Sequence, residues 1–377
     1  MTGMSDIRTL TLVAFGSGLP PEDELIRQEL ADERPRASTF RRRLNTDTLD
    51  ERFLVSGPAY RSFAYSAMPP PLPQVLEAFR IRNRYDAIIS WTEQLGISMA
   101  GLLSLTSSRP AHIGLFSWIS KPKKARLLKV LHPHLDRIVL WSSVQRDFAV
   151  RRIGIPSEKI VLTRHSVDEK FWRPIPEVPP DMICAAGREM RDYRTLVEAL
   201  GDLPIPCHIA AKRYPGKRDD WFDTLRQSHT FPAHLTMGPK SPRELRTLYN
   251  RARFVVIPVL PTDTDNGVTC MLEAMASGRT VICSRVHGQR DVLQDGKTGL
   301  FVSPGDPRAL REAIEFLWNN PERAEVMGKE ARAYVERYHG LDGWITGIRN
   351  VVEDAISERE RRRGRKQLPL SVALKGA

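Results

Sequence analysis

The sequence predicts an α/β protein built from two doubly wound, Rossmann-like domains, and three observations carry that expectation. Short apolar runs of strand type alternate with segments of helical periodicity through most of the chain. One stretch, Phe254 to Pro304, joins strand, helix and strand so tightly that it reads as a parallel βαβ unit. Between the halves, Arg173-Pro174-Ile175-Pro176-Glu177-Val178-Pro179-Pro180 sustains neither a helix nor a central strand, and so reads as a linker. The expected divisions are residues 1–172 for the first domain, 173–181 for the linker, 182–342 for the second domain, 343–362 for a C-terminal helix and 363–377 for a basic tail.

The first half opens with a strand, Leu10 to Phe15, then the loop Gly16-Ser17-Gly18 and a charged, partly helical segment reaching Arg43. A strand over Ala87 to Trp91, a small-residue helix near Gly96 to Leu105 and a strand over His112 to Phe116 follow. A basic helical stretch starts at Lys121, and strands over Ile138 to Ser142 and Ile160 to Leu162 end this half. The second half opens with the strand Met182 to Ala186, whose end delivers Gly187-Arg188-Glu189-Met190-Arg191 ahead of a helix from Tyr193.

Next comes the strand Phe254 to Pro258. The loop Asp263-Thr264-Asp265-Asn266-Gly267 is full of helix-capping residues, and Val268, Met271, Leu272 and Met275 recur at helical spacing until Gly278 stops the helix. Thr280 to Ser284 is the following strand. The helix N-terminus of such a unit lies in the crevice where open α/β sheets take ligands, so an anion is expected beside it. Asp306 caps a helix opening at Pro307, and further helices are expected from Glu322 to Tyr338 and from Gly343 to about Arg362.

Leu272-Glu273-Ala274-Met275-Ala276-Ser277-Gly278 resembles the second half of the donor-site signature of family-4 glycosyltransferases, retaining enzymes of the GT-B architecture. That signature begins with a Glu eight positions earlier, where this chain has Asp265. A second block of the family follows in order, Asp291 to Leu300 leading into Phe301 to Pro307. The resemblance implies a GT-B protein whose last helix returns to the N-terminal domain. It implies transfer of a sugar from a nucleoside-diphosphate donor to an acceptor hydroxyl with retention, the leaving phosphate itself taking the acceptor's proton.

The same resemblance assigns roles. Arg188 matches a family arginine on the donor diphosphate, and Arg191 takes the place of a family lysine nearby. A guanidinium suits the task, being permanently charged and able to grip phosphate oxygens bidentately. Glu273 matches the glutamate that accepts from the ribose hydroxyls, and Asp265 the residue beside the donor sugar. The backbone amides of Gly267, Val268 and Thr269 would face the phosphates. The family's two glycines here align with Asn266 and Val268, and Gly16 and Gly18 correspond to its N-terminal glycine loop. Catalytic candidates are therefore Arg188, Arg191 and Asp265. The competing readings are a solvated arginine at either turn, a solvent-facing Glu273 and an Asp265 that only caps its helix.

Many members also carry a histidine after the strand matching His112 to Phe116. Here Phe116-Ser117-Trp118 stands instead, and His112 reads as a packed strand residue. The Trp91-Thr92-Glu93-Gln94 loop and Trp118 are candidates for lining the acceptor side, against the commoner role of aromatics at strand ends.

With 377 residues, 41% of them apolar, the chain has room for two cores, and its net charge of +12 points to an anionic partner: nucleotide sugar, anionic lipid surface or nucleic acid. The Lys121 to Leu131 helix is amphipathic enough for an anionic membrane, although a core-facing helix with solvated lysines explains it too. Cys184, Cys207, Cys270 and Cys283 lack metal-ligand spacing and read as buried thiols, which favours the cytoplasm. No cofactor or metal is expected, and no apolar run has the length of a signal peptide or a membrane span. The acceptor stays open between a glycan, a lipid-linked group and a small molecule. The alternatives are a nucleotide-sugar epimerase or idle binder of the same architecture and, ranked last, nucleic-acid binding by the basic tail.

Overall fold

A computed structural model of the chain describes all residues except 1–6, 15–19, 51, 54–62, 64, 70, 212–231, 290 and 368–377. Gly16 and Gly18 lie outside the described residues, as does the tail beyond Gln367. Two parallel six-stranded sheets form the framework, so the α/β class with two Rossmann-like domains holds.

The first sheet comprises β1 (Thr9–Leu12), β2 (Thr46–Leu49), β3 (Ala87–Trp91), β4 (Ala111–Phe116), β5 (Arg137–Leu140) and β6 (Ile160–Leu162), in the order β2-β1-β3-β4-β5-β6. Strands of this kind are buried on both faces by crossover helices, and β4 is buried at all six positions. Its neighbours stay in register, with Trp91 opposite Leu115 and Phe116 opposite Leu140. The helix Glu93–Leu103 starts where the Thr92 hydroxyl accepts from the Leu95 amide. β2 was not anticipated: its sequence, Thr-Asp-Thr-Leu, is mostly polar.

The second sheet comprises β7 (Met182–Ala186), β8 (Cys207–Ala210), β9 (Leu235–Met237), β10 (Ala252–Ile257), β11 (Thr280–Ser284) and β12 (Gly299–Val302), ordered β12-β11-β10-β7-β8-β9. This is the doubly wound strand order, and its direction of winding reverses between β7 and β10. One face carries the helices Pro242–Arg251 and Val268–Ala276, and the other carries Tyr193–Leu200 and Pro307–Asn319. Asp306 accepts from the Ala309 amide at 3.0 Å, capping its helix as the sequence predicts.

Contacts divide the chain into two compact units. The first gathers Met1–Pro21, Ala37–Thr163 and Ile345–Ala377, and the second Glu22–Arg36 and Arg164–Trp344. The last helix, Leu341–Gln367, therefore ends with the first unit, where Ile345, Ile348, Val352 and Ala355 are buried. Arg137 and Glu358 pair there at 2.6 Å. The segment Glu22–Arg36 belongs to the second unit through Asp32, whose carboxylate takes Arg173 and Arg246 at 2.8 Å each. Those two guanidinium groups hold the Asp32 carboxyl far below its ordinary range.

Candidate active site

Two loops leave the carboxyl ends of β7 and β10, on either side of the winding reversal, and carry most of the predicted site. The chain turns at Gly187 with φ +91° and at Met190 with φ +55°, which brings Arg188 to the turn as a half-buried side chain. After β10 the loop runs through Asp265 to Gly267, whose φ of +101° opens the helix Val268–Ala276 without a side-chain cap. The loops are stitched together: the Asp192 amide donates to the Pro258 carbonyl at 3.0 Å, and the Leu260 amide to that of Met190 at 2.9 Å.

Arg191 sits elsewhere than a phosphate-facing position would require. Its side chain is only 7% exposed, with Nε donating to the Ala186 carbonyl at 2.9 Å and Nη1 to that of Glu189 at 2.8 Å. The guanidinium fills the space beneath both glycines. A Cβ on Gly187 would lie 2.2 Å from Nη2, and one on Gly267 would lie 3.4 Å from Nη1. Arg191 thus couples the two loops and leaves a fixed positive charge under them.

The Asp265 side chain does not cap the helix, but its carbonyl accepts from the Val268 amide at 3.1 Å, so that amide is not open to a phosphate, contrary to the expectation from sequence. The Asp265 carboxylate pairs with Nε2 of His165 and accepts from the Thr264 hydroxyl at 2.9 Å. Burial raises its pKa, but the bond and charge of His165, with the hydroxyl, outweigh burial and hold the carboxyl below its usual range. His165 is the site residue that the sequence reading missed. Its partner lies 100 positions away, and no local pattern signals such a pair.

Glu273 stands half-buried in the second turn of its helix and accepts from the Tyr249 hydroxyl at 3.1 Å. Burial pushes its carboxyl up to about 8, against the opposing effects of Tyr249 and Arg191. Asn266 and Val268 flank Gly267, Val268 is buried and Thr269 is exposed. Close packing fixes the loop from behind: a Cβ on Gly288 would meet the Thr264 carbonyl oxygen at 1.8 Å, and the Gln289 side-chain amide donates to the Asn266 carbonyl. His112 is a packed residue of β4, 3.0 Å from Ser90 Oγ, and burial lowers its pKa to about 4.

Among the described residues no cluster of three potential metal ligands occurs, and no helix is long and apolar enough to cross a membrane.

Residues 183–334 match the model of the family described as "Glycosyl transferases group 1". Sulfoquinovosyl transferase SQD2 of Arabidopsis thaliana is 35% identical over 242 residues, which is 59% of this chain and 45% of that protein. The D-inositol 3-phosphate glycosyltransferase of Corynebacterium kroppenstedtii is 28% identical over 137 residues, 36% of this chain and 29% of that one. The chain thus spans less than half the length of either relative. Among solved structures, sucrose-phosphate synthase from Thermosynechococcus elongatus superposes with a TM-score of 0.73 at 15% identity, covering 93% of this chain and all of that one. HepE of Anabaena, in complex with UDP-glucose, gives a TM-score of 0.70 at 16% identity over the same shares. Residues 183–334, within the second unit, are thus similar to glycosyl transferases group 1, and the chain shares the GT-B fold of these solved structures.

Proposed function

We propose that this protein is a glycosyltransferase that moves a sugar from a nucleoside-diphosphate donor to an acceptor hydroxyl, with retention of configuration. The observation that carries the reading is the arrangement at the winding reversal of the second sheet: Arg188 on one loop, the helix terminus at Gly267 on the other, one buried guanidinium under both, and Glu273 in the second turn of the helix that follows. Solved HepE holds UDP-glucose, which supports the same class of donor here.

Cleaving a sugar–phosphate bond loads charge onto the departing diphosphate, and fixed cations and amide donors lower that barrier most. Arg188 grips the diphosphate, the amides of Gly267 and Thr269 face it from the helix end while that of Val268 is taken by the Asp265 carbonyl, and Arg191 adds its charge from below without contact. Glu273 takes the ribose hydroxyls, and Asp265, oriented by His165, takes a hydroxyl of the donor sugar. An aspartate is one methylene shorter than a glutamate, so the His165 bond sets where its oxygens stand. The leaving phosphate receives the acceptor's proton on the same face, so the chemistry uses no protein base.

An acceptor presented at an anionic membrane surface fits the helix Pro122–Leu131. Of its ten residues only Leu128 is buried, while Leu127 and Val130 are 42% and 71% exposed beside Lys123, Arg126 and Lys129. Vesicles containing phosphatidylglycerol are expected to retain the protein at low salt and to release the variant carrying Val130→Glu.

Incubation with a panel of uridine and guanosine diphosphate sugars tests the main reading. One donor should be consumed in an acceptor-dependent way, and the anomeric proton coupling of the product should match that of the donor. Inversion would remove the retaining step, and absence of nucleotide uptake would remove the proposal as a whole. Interconversion of the donor sugar without transfer would instead favour the epimerase alternative.

A further inference from the structure

At the carboxyl end of the first sheet, a loop is held with more care than a connection needs. After β4, the four consecutive backbone amides of Ser117, Trp118, Ile119 and Ser120 are all taken by two buried side chains. Glu93, 4% exposed, accepts from Ser117 N at 2.6 Å and from Trp118 N. Gln145, fully buried, accepts from Ile119 N at 2.9 Å and from Ser120 N at 3.2 Å. The second Glu93 oxygen pairs with Lys124 at 2.8 Å. Burying a carboxylate is costly unless it is fully paired, and here the pairing is spent on orienting a loop.

That loop presents the indole of Trp118, and the Lys121 ammonium stands 3.8 Å from its ring centroid. Two more tryptophans share the edge. Trp91 is the last residue of β3 and Trp141 directly follows β5, and these strands neighbour β4 on its two sides. Indoles recognise the apolar faces of sugar rings, and ligands of open α/β sheets bind at the carboxyl ends of the strands. Lys121, Lys123 and Arg126 are exposed, and none of the three has an acidic partner among the described residues.

Resting on the transferase reading, we infer that Trp118 and Lys121 form an acceptor subsite for an anionic carbohydrate, a sugar or polyol carrying a phosphate or carboxylate, with Glu93 and Gln145 as positioning residues. The indole takes the ring and the ammonium takes the charge. The sugar itself need not be free, since the same anionic group is offered by a lipid-linked headgroup at a membrane.

Saturation-transfer NMR on the full chain tests this with glucose 6-phosphate, glucuronate and glucose as probes, each with and without UDP. Transfer to the two anionic probes should exceed that to glucose at least fivefold, fall at least fivefold in Lys121→Ala and vanish in Trp118→Ala. Glu93→Ala should weaken uptake similarly, and Glu93→Gln, which keeps an acceptor for the two amides, should restore most of it. Greater response to glucuronate than to glucose 6-phosphate would assign the carboxylate, and the reverse the phosphate. Uptake only from vesicles containing phosphatidylinositol would assign the lipid-linked source. Equal transfer to glucose, signals that survive Trp118→Ala, or no uptake of free or vesicle-borne probes overturns the inference. UDP is the internal control: UDP binding with no anionic-sugar effect sinks this subsite alone, whereas failure to bind UDP sinks the transferase reading.

Discussion

Glu273 gives the site a proton to release. Its free carboxyl is pushed up to about 8 by burial, so it is mostly protonated at neutral pH, and the proposed contact with ribose hydroxyls would need it as a carboxylate. Nucleotide binding should therefore strengthen from pH 6 to 8 and expel up to about one proton per site, measurable by calorimetry in buffers of different ionisation enthalpy. The sign for folding is opposite. A carboxyl whose folded pKa lies above its ordinary 4.5 contributes stability below that value and loses it as pH climbs toward 8. Glu273→Gln should thus gain in melting temperature over the parent as pH rises from 5 to 8, while binding nucleotide about tenfold more weakly. A gain independent of pH would contradict this. Arg191 is the second residue on which the site turns. Replacing it by Met leaves the Ala186 and Glu189 carbonyls without their donor, and a loss of about 2–4 kcal/mol in denaturant unfolding is expected. The sequence showed that an arginine stood after β7, but not that it was turned inward, because its direction is set by two glycines 80 positions apart. Asp265 was legible as a position and not as a pair, since its partner His165 lies in the other half of the sequence.

At the scale of elements, the βαβ unit from β10 to β11 was the most legible part of the fold. Its apolar strands, its helical spacing and Gly278, which takes φ +75° where the helix ends, all point to one answer. The strands β8 and β9 were not legible, being four and three residues long with too little pattern to stand out. The helix Leu72–Ile81 hid behind a run of prolines that reads as a breaker, although Pro73 is tolerated because it sits in the first turn. What holds the loop before the helix Val268–Ala276 is a contact between elements. Gly288→Ala would press a methyl group against the Thr264 backbone at 1.8 Å, so the loop from Thr264 to Gly267 must move. That variant should lose several degrees in melting temperature and bind nucleotide at least tenfold more weakly, with acceptor-side binding unchanged. Full nucleotide affinity would show that loop placement does not matter.

For the whole molecule, the chain's path matters more than its domains taken singly. The last helix finishes with the first unit, burying Ile345, Ile348, Val352 and Ala355 there. Each such side chain removed from a core costs about 2–4 kcal/mol, except the alanine, so truncation after Trp344 should strip most of the first unit's stability. Calorimetric unfolding of the truncated chain is expected to show a lowered or absent transition for the first unit beside a retained one for the second. A single unshifted transition would contradict the role of the helix. The helix itself was readable from its periodicity, and its return was expected from the family resemblance. That Glu22–Arg36 joins the second unit was not readable, because Asp32 reaches Arg246 across 214 positions through charge pairing that leaves no periodic trace.

Titration of UDP into the full chain by calorimetry tests the central claim most directly. The account predicts one site per chain, weakened about tenfold or more by both Arg188→Ala and Glu273→Gln, with protein that still melts cooperatively. Binding of equal strength in both variants, or no binding by the parent, would contradict a nucleoside-diphosphate site at the winding reversal of the second sheet.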